Sequence, residues 1–473
     1  MQTTAIGTVA KSLPQNVVIL LTLLISKRYI PYTDLRKIFR IFNTTGEMAE
    51  LNEFLILSSR LCNFEKVEMQ SVLLMKKLLY LICTFAALLA LKSHAAVPEG
   101  AIPFIFDSHL YLQATLNDTV PVTVIYDTGA DFLYLDEDYL NLNNLQNAFG
   151  RKGVAKMGGA GNSEPQRVEI FVDSVEIRCG ELDYWNKITP IIRLRDILGR
   201  YIDGLLGNTH LLSSPLEISF SEGYLKQWEA PFPVDSLENY HKLEARFEDN
   251  RIDVKASLQI DSANAVEGWF RLDLGSGSTV SLTNEATSSL HLDDMPKAYF
   301  QTQAGGVGGG SEDVEIRAAR FCMVDTFENV VIDCSLNEKG ALSSGRPYLG
   351  IIGNDIWSLY DMVLDPVSSS VWVKRNGKKG TYSQSSTTHM AVFDRTDICD
   401  GWIVNGLYKG GIAEQAGIEI GDVIIAINDR PVKEISWEEQ RKGLNLKGET
   451  KYTVRKANGE VVTYTLFVQK QII

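Results

Sequence analysis

Two Asp-x-Gly triplets carry the chemistry that this chain offers most plainly: Asp127-Thr128-Gly129 and Asp273-Leu274-Gly275. Two carboxylates brought into one site cannot both ionise cheaply, so one pKa rises and the pair holds a single proton. One member can then act as general base on a water while the other, protonated, donates to a carbonyl oxygen. Amide hydrolysis needs that pairing. Gly129 and Gly275 suit it as well, because neither adds a side chain that would hold the turns apart and each offers a backbone N–H to a carboxylate.

The triplets sit in an internal repeat. The first copy runs VTVIYDTGADFLYL (122–135), KMGGAGNSEPQRVEI (156–170) and DGLLGNTHLL (203–212); the second runs GWFRLDLGSGSTVSL (268–282), QAGGVGGGSEDVEI (303–316) and YLGIIGNDIW (348–357). Asp127 precedes Gly207 by 80 positions, and Asp273 precedes Gly353 by 80. VTVIY and WFRL read as strands that end in the Asp-x-Gly turns, LLG and IIG read as buried strands, and each glycine-rich run followed by alternation reads as a β-hairpin with a mobile tip. The region from about 98 to 376 is therefore expected to be mainly β, in two similar lobes. A pseudo-twofold axis between them would bring Asp127 and Asp273 face to face, with the hairpins of Gly158, Gly159 and Gly161 and of Gly305, Gly306 and Gly308 closing over an extended peptide.

These residues resemble the pepsin and retropepsin superfamily of aspartic peptidases. Asp127-Thr128-Gly129-Ala130 matches its D-T-G-A/S turn, the glycine hairpins look like its flaps, and Gly207 and Gly353 match the apolar-apolar-Gly that closes each lobe. The resemblance covers roughly 97–374. It implies a two-lobed acid-protease barrel fold in which Asp127 and Asp273 hold the attacking water, supported by Thr128, Gly129, Gly275 and Ser276, with Thr128 bracing the opposite lobe. The second motif departs at Leu274, which has no hydroxyl for that brace. A catalytically inactive peptide-binding protein of the cell envelope, built on the same fold, is the alternative that this departure raises.

Composition excludes other classes. The net charge of −13 opposes nucleic-acid binding, which needs a surplus of Lys and Arg. There is no GxSxG, HExxH or GxxxxGK[ST], and no Cys/His spacing suited to zinc, so no metal and no cofactor are expected. None of the six His lies near an acid and nucleophile pair in sequence, so all six read as surface or core residues.

The charge is unevenly spread. Residues 1–95 hold 11 Lys/Arg and 6 Asp/Glu, leaving 35 and 53 for the rest, a net −18. Lys76 and Lys77, the apolar run from Leu78 to Leu91 and the small residues Ala95 and Ala96 have the layout of a secretory signal peptide over 75–96. The run is too short for a stable membrane span, as is Val17 to Ile25 upstream. Residues 1–74 then read as an upstream extension assigned ahead of Met75, and the remainder as a protein exported to the periplasm or beyond the cell. Export leaves Cys179, Cys322, Cys334 and Cys399 as free buried thiols or disulfides, with Cys322 and Cys334 close enough in sequence to staple a loop.

The lobes are expected at 97–232 and 233–376, followed by a polar linker over 377–388. Residues 389–473 then read as a small α+β unit: a strand at 402–404, a helix at 412–416, a strand at 423–427, a helix near 437–442 and a final hairpin through Asn458-Gly459. The order and the wording GGIAEQAGIEIGDVIIAIND resemble a PDZ domain of the bacterial envelope-protease type. That implies binding of an extended peptide as an added strand beside the second helix. The combined expectation is an exported aspartic-type endopeptidase with peptide or protein substrates and a PDZ peptide ligand.

Overall fold

Strand β1 (Val120–Tyr126) buries residues on both faces, with Val122, Val124 and Tyr126 in the main core and Ile125 buried on the other side. A strand buried on both faces belongs inside a sheet rather than at its edge. The computed structural model, which describes residues 97–473 apart from Asp294, Val307, Asn445, Lys447, Gln469 and Lys470, places it there. The leader over 75–96 and the extension over 1–74 lie outside the described residues. Among the described residues, no helix is long and apolar enough to cross a membrane.

The first copy of the repeat contributes β1, β2 (Leu133–Asp136), the hairpin of β3 (Lys152–Met157) and β4 (Gln166–Phe171), β5 (Thr189–Ile192), the short helix α1 (Arg195–Leu198) and β6 (Gly204–Leu206). The second contributes β7 (Ala265–Leu272), β8 (Val280–Leu282), β9 (Lys297–Gly306), β10 (Gly309–Cys322), β11 (Thr326–Ser335) and β12 (Gly350–Ile352). In each copy the last strand is threaded between the first two. β6 runs parallel to β1 and antiparallel to β2, and β12 runs parallel to β7 and antiparallel to β8. A further parallel neighbour completes each set, β5 beside β2 and β11 beside β8. The chain is thus mainly β, and the equal spacing in sequence corresponds to equal topology.

A shared sheet stitches the copies together. Leu216–Ser219 pairs with Tyr224–Gln227 from the first copy and with Tyr360–Asp365 from the second, through Leu216↔Leu364 and Ile218↔Met362. One apolar cluster runs through both halves, from Ile102 to Val373, and includes Leu272 and Leu274. The stretch 377–388 has no regular structure but is held against the second copy. Val331 N donates to Tyr382 O at 2.8 Å, Thr381 Oγ1 donates to Asp355 Oδ1 at 2.9 Å, and the Tyr382 ring meets Phe327 edge to face.

The C-terminal module comprises β13 (Met390–Asp394), β14 (Trp402–Tyr408), α2 (Ile412–Ala416), β15 (Val423–Ile427), α3 (Trp437–Arg441) and the hairpin of β16 (Glu449–Arg455) and β17 (Val461–Phe467). The helix and strand at 412–416 and 423–427 fall where the sequence put them. Helix α3 starts on a capping box, Ser436 with Glu439, which satisfies orphan N–H groups at both ends of the box. The module has its own core around Trp402, Val404, Ile424 and Tyr452. It is also continuous with the second copy, because β14 pairs antiparallel with β9 through Phe300↔Tyr408 and Thr302↔Gly406.

A cluster of buried ion pairs joins the module to the first copy. Arg395, whose side chain is 1 % exposed, pairs with Asp138, Asp196 and Asp397, while Arg195 pairs with Asp203 at 2.7 Å and Asp397 at 2.9 Å. Burial pushes Asp136, beside Arg195, up to about 6 against the opposing pull of the Arg195 N–H and charge. Cutting one partner from a buried pair leaves the others uncompensated. Arg395→Ala should therefore cost on the order of 3 kcal/mol, read as a lower urea midpoint. An unchanged midpoint would show that the cluster does not hold the module in place.

The cysteines do not form the staple. Cys179, Cys322, Cys334 and Cys399 are all free. In the β10–β11 ladder Cys322 lies opposite Thr326 while Cys334 lies opposite Val314, eight residues further along β10. At about 3.4 Å per residue that is roughly 27 Å, far beyond the reach of a disulfide.

Candidate functional site

Asp127 and Asp273 stand at the ends of equivalent strands, β1 and β7. Their backbone N–H groups donate to Leu206 O at 3.0 Å and Ile352 O at 3.1 Å, so each aspartate is fixed by the strand threaded beside it. Each turn then supplies its own carboxylate with a donor: Gly129 N to Asp127 Oδ1 at 2.6 Å, and Gly275 N to Asp273 Oδ1 at 2.9 Å. The turns meet across the pseudo-twofold axis. A Cβ on Gly275 would overlap the Asp127 carboxylate, and one on Gly129 would lie 3.2 Å from Asp273 Oδ1. The sequence-predicted pair is brought together, and its two glycines are what permits the approach.

Burial is the largest cause raising both aspartates. For Asp127 the charge of Asp273 raises it further, opposed by the Gly129 N–H and by Arg251. For Asp273 the Gly275 N–H and the hydrogen bond from Asp127 oppose burial. Both acids are thus raised as a pair, which favours one proton held between them. Arg251 stays close because its guanidinium pairs with Asp131 at 2.6 Å.

Thr128 makes the brace from one side only. Its buried hydroxyl donates to Leu272 O at 2.8 Å and accepts from Leu274 N at 2.9 Å, tying the first turn to the backbone on both sides of Asp273. Leu274 is fully buried in the common core and returns no such bond. Ser276 does not turn to the pair either. Its hydroxyl lies 2.8 Å from that of Ser278, which is linked through Ser281 to the buried Asp333 carboxylate.

Sequence reasoning missed several residues of the site. Asn208 Nδ2 donates to Thr128 O at 2.9 Å, and Asn354 Nδ2 donates to Leu274 O at 2.7 Å, so each asparagine buttresses one turn from below. The signal was present, since each Asn follows the Gly that closes its repeat. Asn208 Oδ1 accepts from Tyr126 OH at 2.9 Å, whereas Asn354 Oδ1 is buried without a partner because Leu272 stands where the first copy has Tyr126. His109 is the other omission. Its Nε2 donates to Gly275 O at 3.2 Å, and burial lowers its pKa to about 4, so one histidine does support the site, as a neutral donor.

The glycine hairpins meet tip to tip. Asn162 N donates to Gly310 O at 3.0 Å, Lys339 N donates to Asn162 Oδ1 at 3.0 Å, and a Cβ on Gly161 would lie 2.6 Å from Gly308 C. Gly306 packs against Ala160 in the same junction, and Gly158 and Gly159 lie in the loop leading to it. Gly305 lies in the irregular stretch of β9 between the paired Thr302 and Gly306, and Gly308 adopts φ of 111°, a conformation that side chains resist.

Residues 403–439 match the PDZ domain family. Among solved structures, an aspartic proteinase from Irpex lacteus aligns with 12 % identity and a TM-score of 0.35, covering 60 % of this chain and 98 % of that one. No curated protein matches the chain. The PDZ module holds the matched segment in β14, α2, β15 and the start of α3, and its edge strand β13 pairs with β14. Among the described residues no group of His, Cys, Asp and Glu is arranged to hold a metal ion.

Two measurements check this arrangement. Thr128→Val keeps the shape but leaves Leu272 O and Leu274 N buried without partners, and should cost about 2 kcal/mol in denaturant unfolding. Burial, with the charges of Asp313 and Glu315, pushes Asp333 up to about 8. A raised folded pKa means that the fold prefers the protonated acid, so this contribution is full below the ordinary carboxylate range and is lost as pH rises towards about 8. Asp333→Asn should accordingly raise Tm at about pH 8 and leave it nearly unchanged at about pH 4.

Proposed function

We propose that the chain is an exported aspartic-type endopeptidase whose two half-sites, in 97–232 and 233–376, each supply one aspartate to a single proton-sharing pair. The observation that carries this reading is the interlocking of Gly129 and Gly275 with the carboxylates, which leaves two half-buried acids in one site with a donor to each. The ionised aspartate of the pair takes a proton from a water as the water oxygen attacks the peptide carbonyl carbon. The protonated aspartate gives its proton to the carbonyl oxygen, forming a gem-diol. A proton then passes to the amide nitrogen, the C–N bond breaks, and a carboxyl and an amine are released. Thr128, Asn208 and Asn354 act as positioning residues, and the two hairpins would part to admit an extended peptide.

The PDZ module, with family precedent for taking a peptide as an added strand, would hold protein substrates or a separate peptide ligand. The signal-peptide layout over 75–96 supports placement in the periplasm or outside the cell.

The test is cleavage of an unfolded polypeptide from acid to neutral pH. Wild type should cleave, with the rate falling as rising pH strips the shared proton from the raised pair. Asp127→Asn and Asp273→Asn should each lose at least about 100-fold in kcat/KM. If wild type and both variants are equally inert, the chain is a peptide-binding protein on this fold. If all three cleave equally, the pair is not the site.

A further inference from the structure

The groove of the PDZ module, between edge strand β13 and helix α3, is already partly occupied by the molecule itself. The segment after α1 in the first copy runs into it. Arg200 N donates to Asp394 O at 2.9 Å at the end of β13, the backbone contact that an added strand makes. Arg200 Nε stands 3.4 Å from the Asp394 carboxylate, and Tyr201 OH donates to the same carboxylate at 3.0 Å. Gln440 on α3 donates to Tyr201 OH at 3.2 Å and to Asp394 Oδ2 at 2.8 Å. The Tyr201 ring stacks on Trp437, also on α3, with centroids 5.0 Å apart and planes 13° from parallel. Gly199 permits this approach, since a Cβ there would already touch Asp394 O at 3.3 Å.

The occupant does not fill the groove. A cavity of about 110 Å³ remains beside it, bordered by Leu198, Val392 and Phe393. The same α3 residue also packs against the first copy. Trp437 Nε1 donates to Asp107 Oδ2 at 2.9 Å, and its ring meets Tyr111 edge to face at 4.9 Å. Tyr111 belongs to an apolar shelf with Ile125 and Leu205, and Ile125 lies two residues before Asp127.

We infer that the β13–α3 groove recognises an extended peptide carrying a cationic residue followed by an aromatic one, and that Arg200-Tyr201 hold this place in cis until such a peptide displaces them. The inference rests on the peptide-binding reading of the PDZ module and is independent of catalysis. Asp394 and Gln440 select the cation and the hydroxyl, Trp437 selects the ring, and the strand edge accepts one backbone at a time. Because the competitor is tethered, the apparent affinity for a free peptide is lowered by the fraction of molecules with the groove open.

The probe is a fluorescent synthetic peptide of residues 196–203, DILGRYID, added to the full chain in an Asp127→Asn background so that it stays intact. Binding should tighten at least about 10-fold when Arg200→Ser and Tyr201→Ala empty the groove, and weaken at least about 10-fold when Gln440→Ala is added. A peptide with its own Arg and Tyr replaced by Glu and Ala should not bind. Equal affinity before and after emptying the groove, or equal binding of the two peptides, overturns the inference. Hydrogen exchange on the chain without the groove substitutions gives an independent reading. Saturating peptide should speed exchange at the Arg200 amide at least about 10-fold as it loses Asp394, and an unchanged rate overturns the displacement.

Discussion

Two carboxylates packed where two glycines leave room is the constraint on which the rest of this molecule is arranged. Neither turn can retreat without emptying the space that the other fills, so both strands that deliver the aspartates must be fixed in length and register. The threaded strands β6 and β12 do this by accepting the aspartate N–H groups and placing an asparagine under each turn. The shared sheet through Leu216 and Leu364 then fixes the two copies against each other. Burial of this order is costly for two acids, and the fold meets the cost with backbone donors rather than with a cation in direct contact.

The two copies have not kept the same means. Tyr126 and Thr128 give the first turn two hydroxyls, each with a buried partner; Leu272 and Leu274 give the second turn none. What the second turn lacks in hydrogen bonds is offset in apolar area at Leu274, which joins the core common to the two halves where the first turn has Thr128. The cost is visible as the orphaned oxygen of Asn354. The pair is consequently held by a hydrogen-bonded joint on one side and by packing on the other, which is a stable solution because dense apolar packing resists displacement as well as a single bond does.

The repeat made the lobes legible, because two strands, a hairpin and a buried strand recur at matched spacing and local patterns suffice to read each one. The PDZ module was legible for a similar reason, its strands being marked by turn residues such as Gly421-Asp422 and Asn458-Gly459. The ion cluster was not legible, for Arg395 meets Asp138 across 257 residues and Asp196 across 199, and no local pattern announces such partners. The polar stretch over 377–388 read as a linker on composition, yet Tyr382 ties it to the second copy. His109 escaped notice because its role comes from strand placement beside Gly275 and from nothing in its neighbours.

The ladder between β9 and β14 has a mechanical meaning. One strand of the second hairpin is at once the arm of the proposed flap and the outermost rung of the PDZ sheet, so a flap built on it would not swing as a free lever. Its pivot is set by the module, and whatever tilts the module redraws the arc along which the glycine tip travels. In such a machine the width of the entrance is a property of the C-terminal domain.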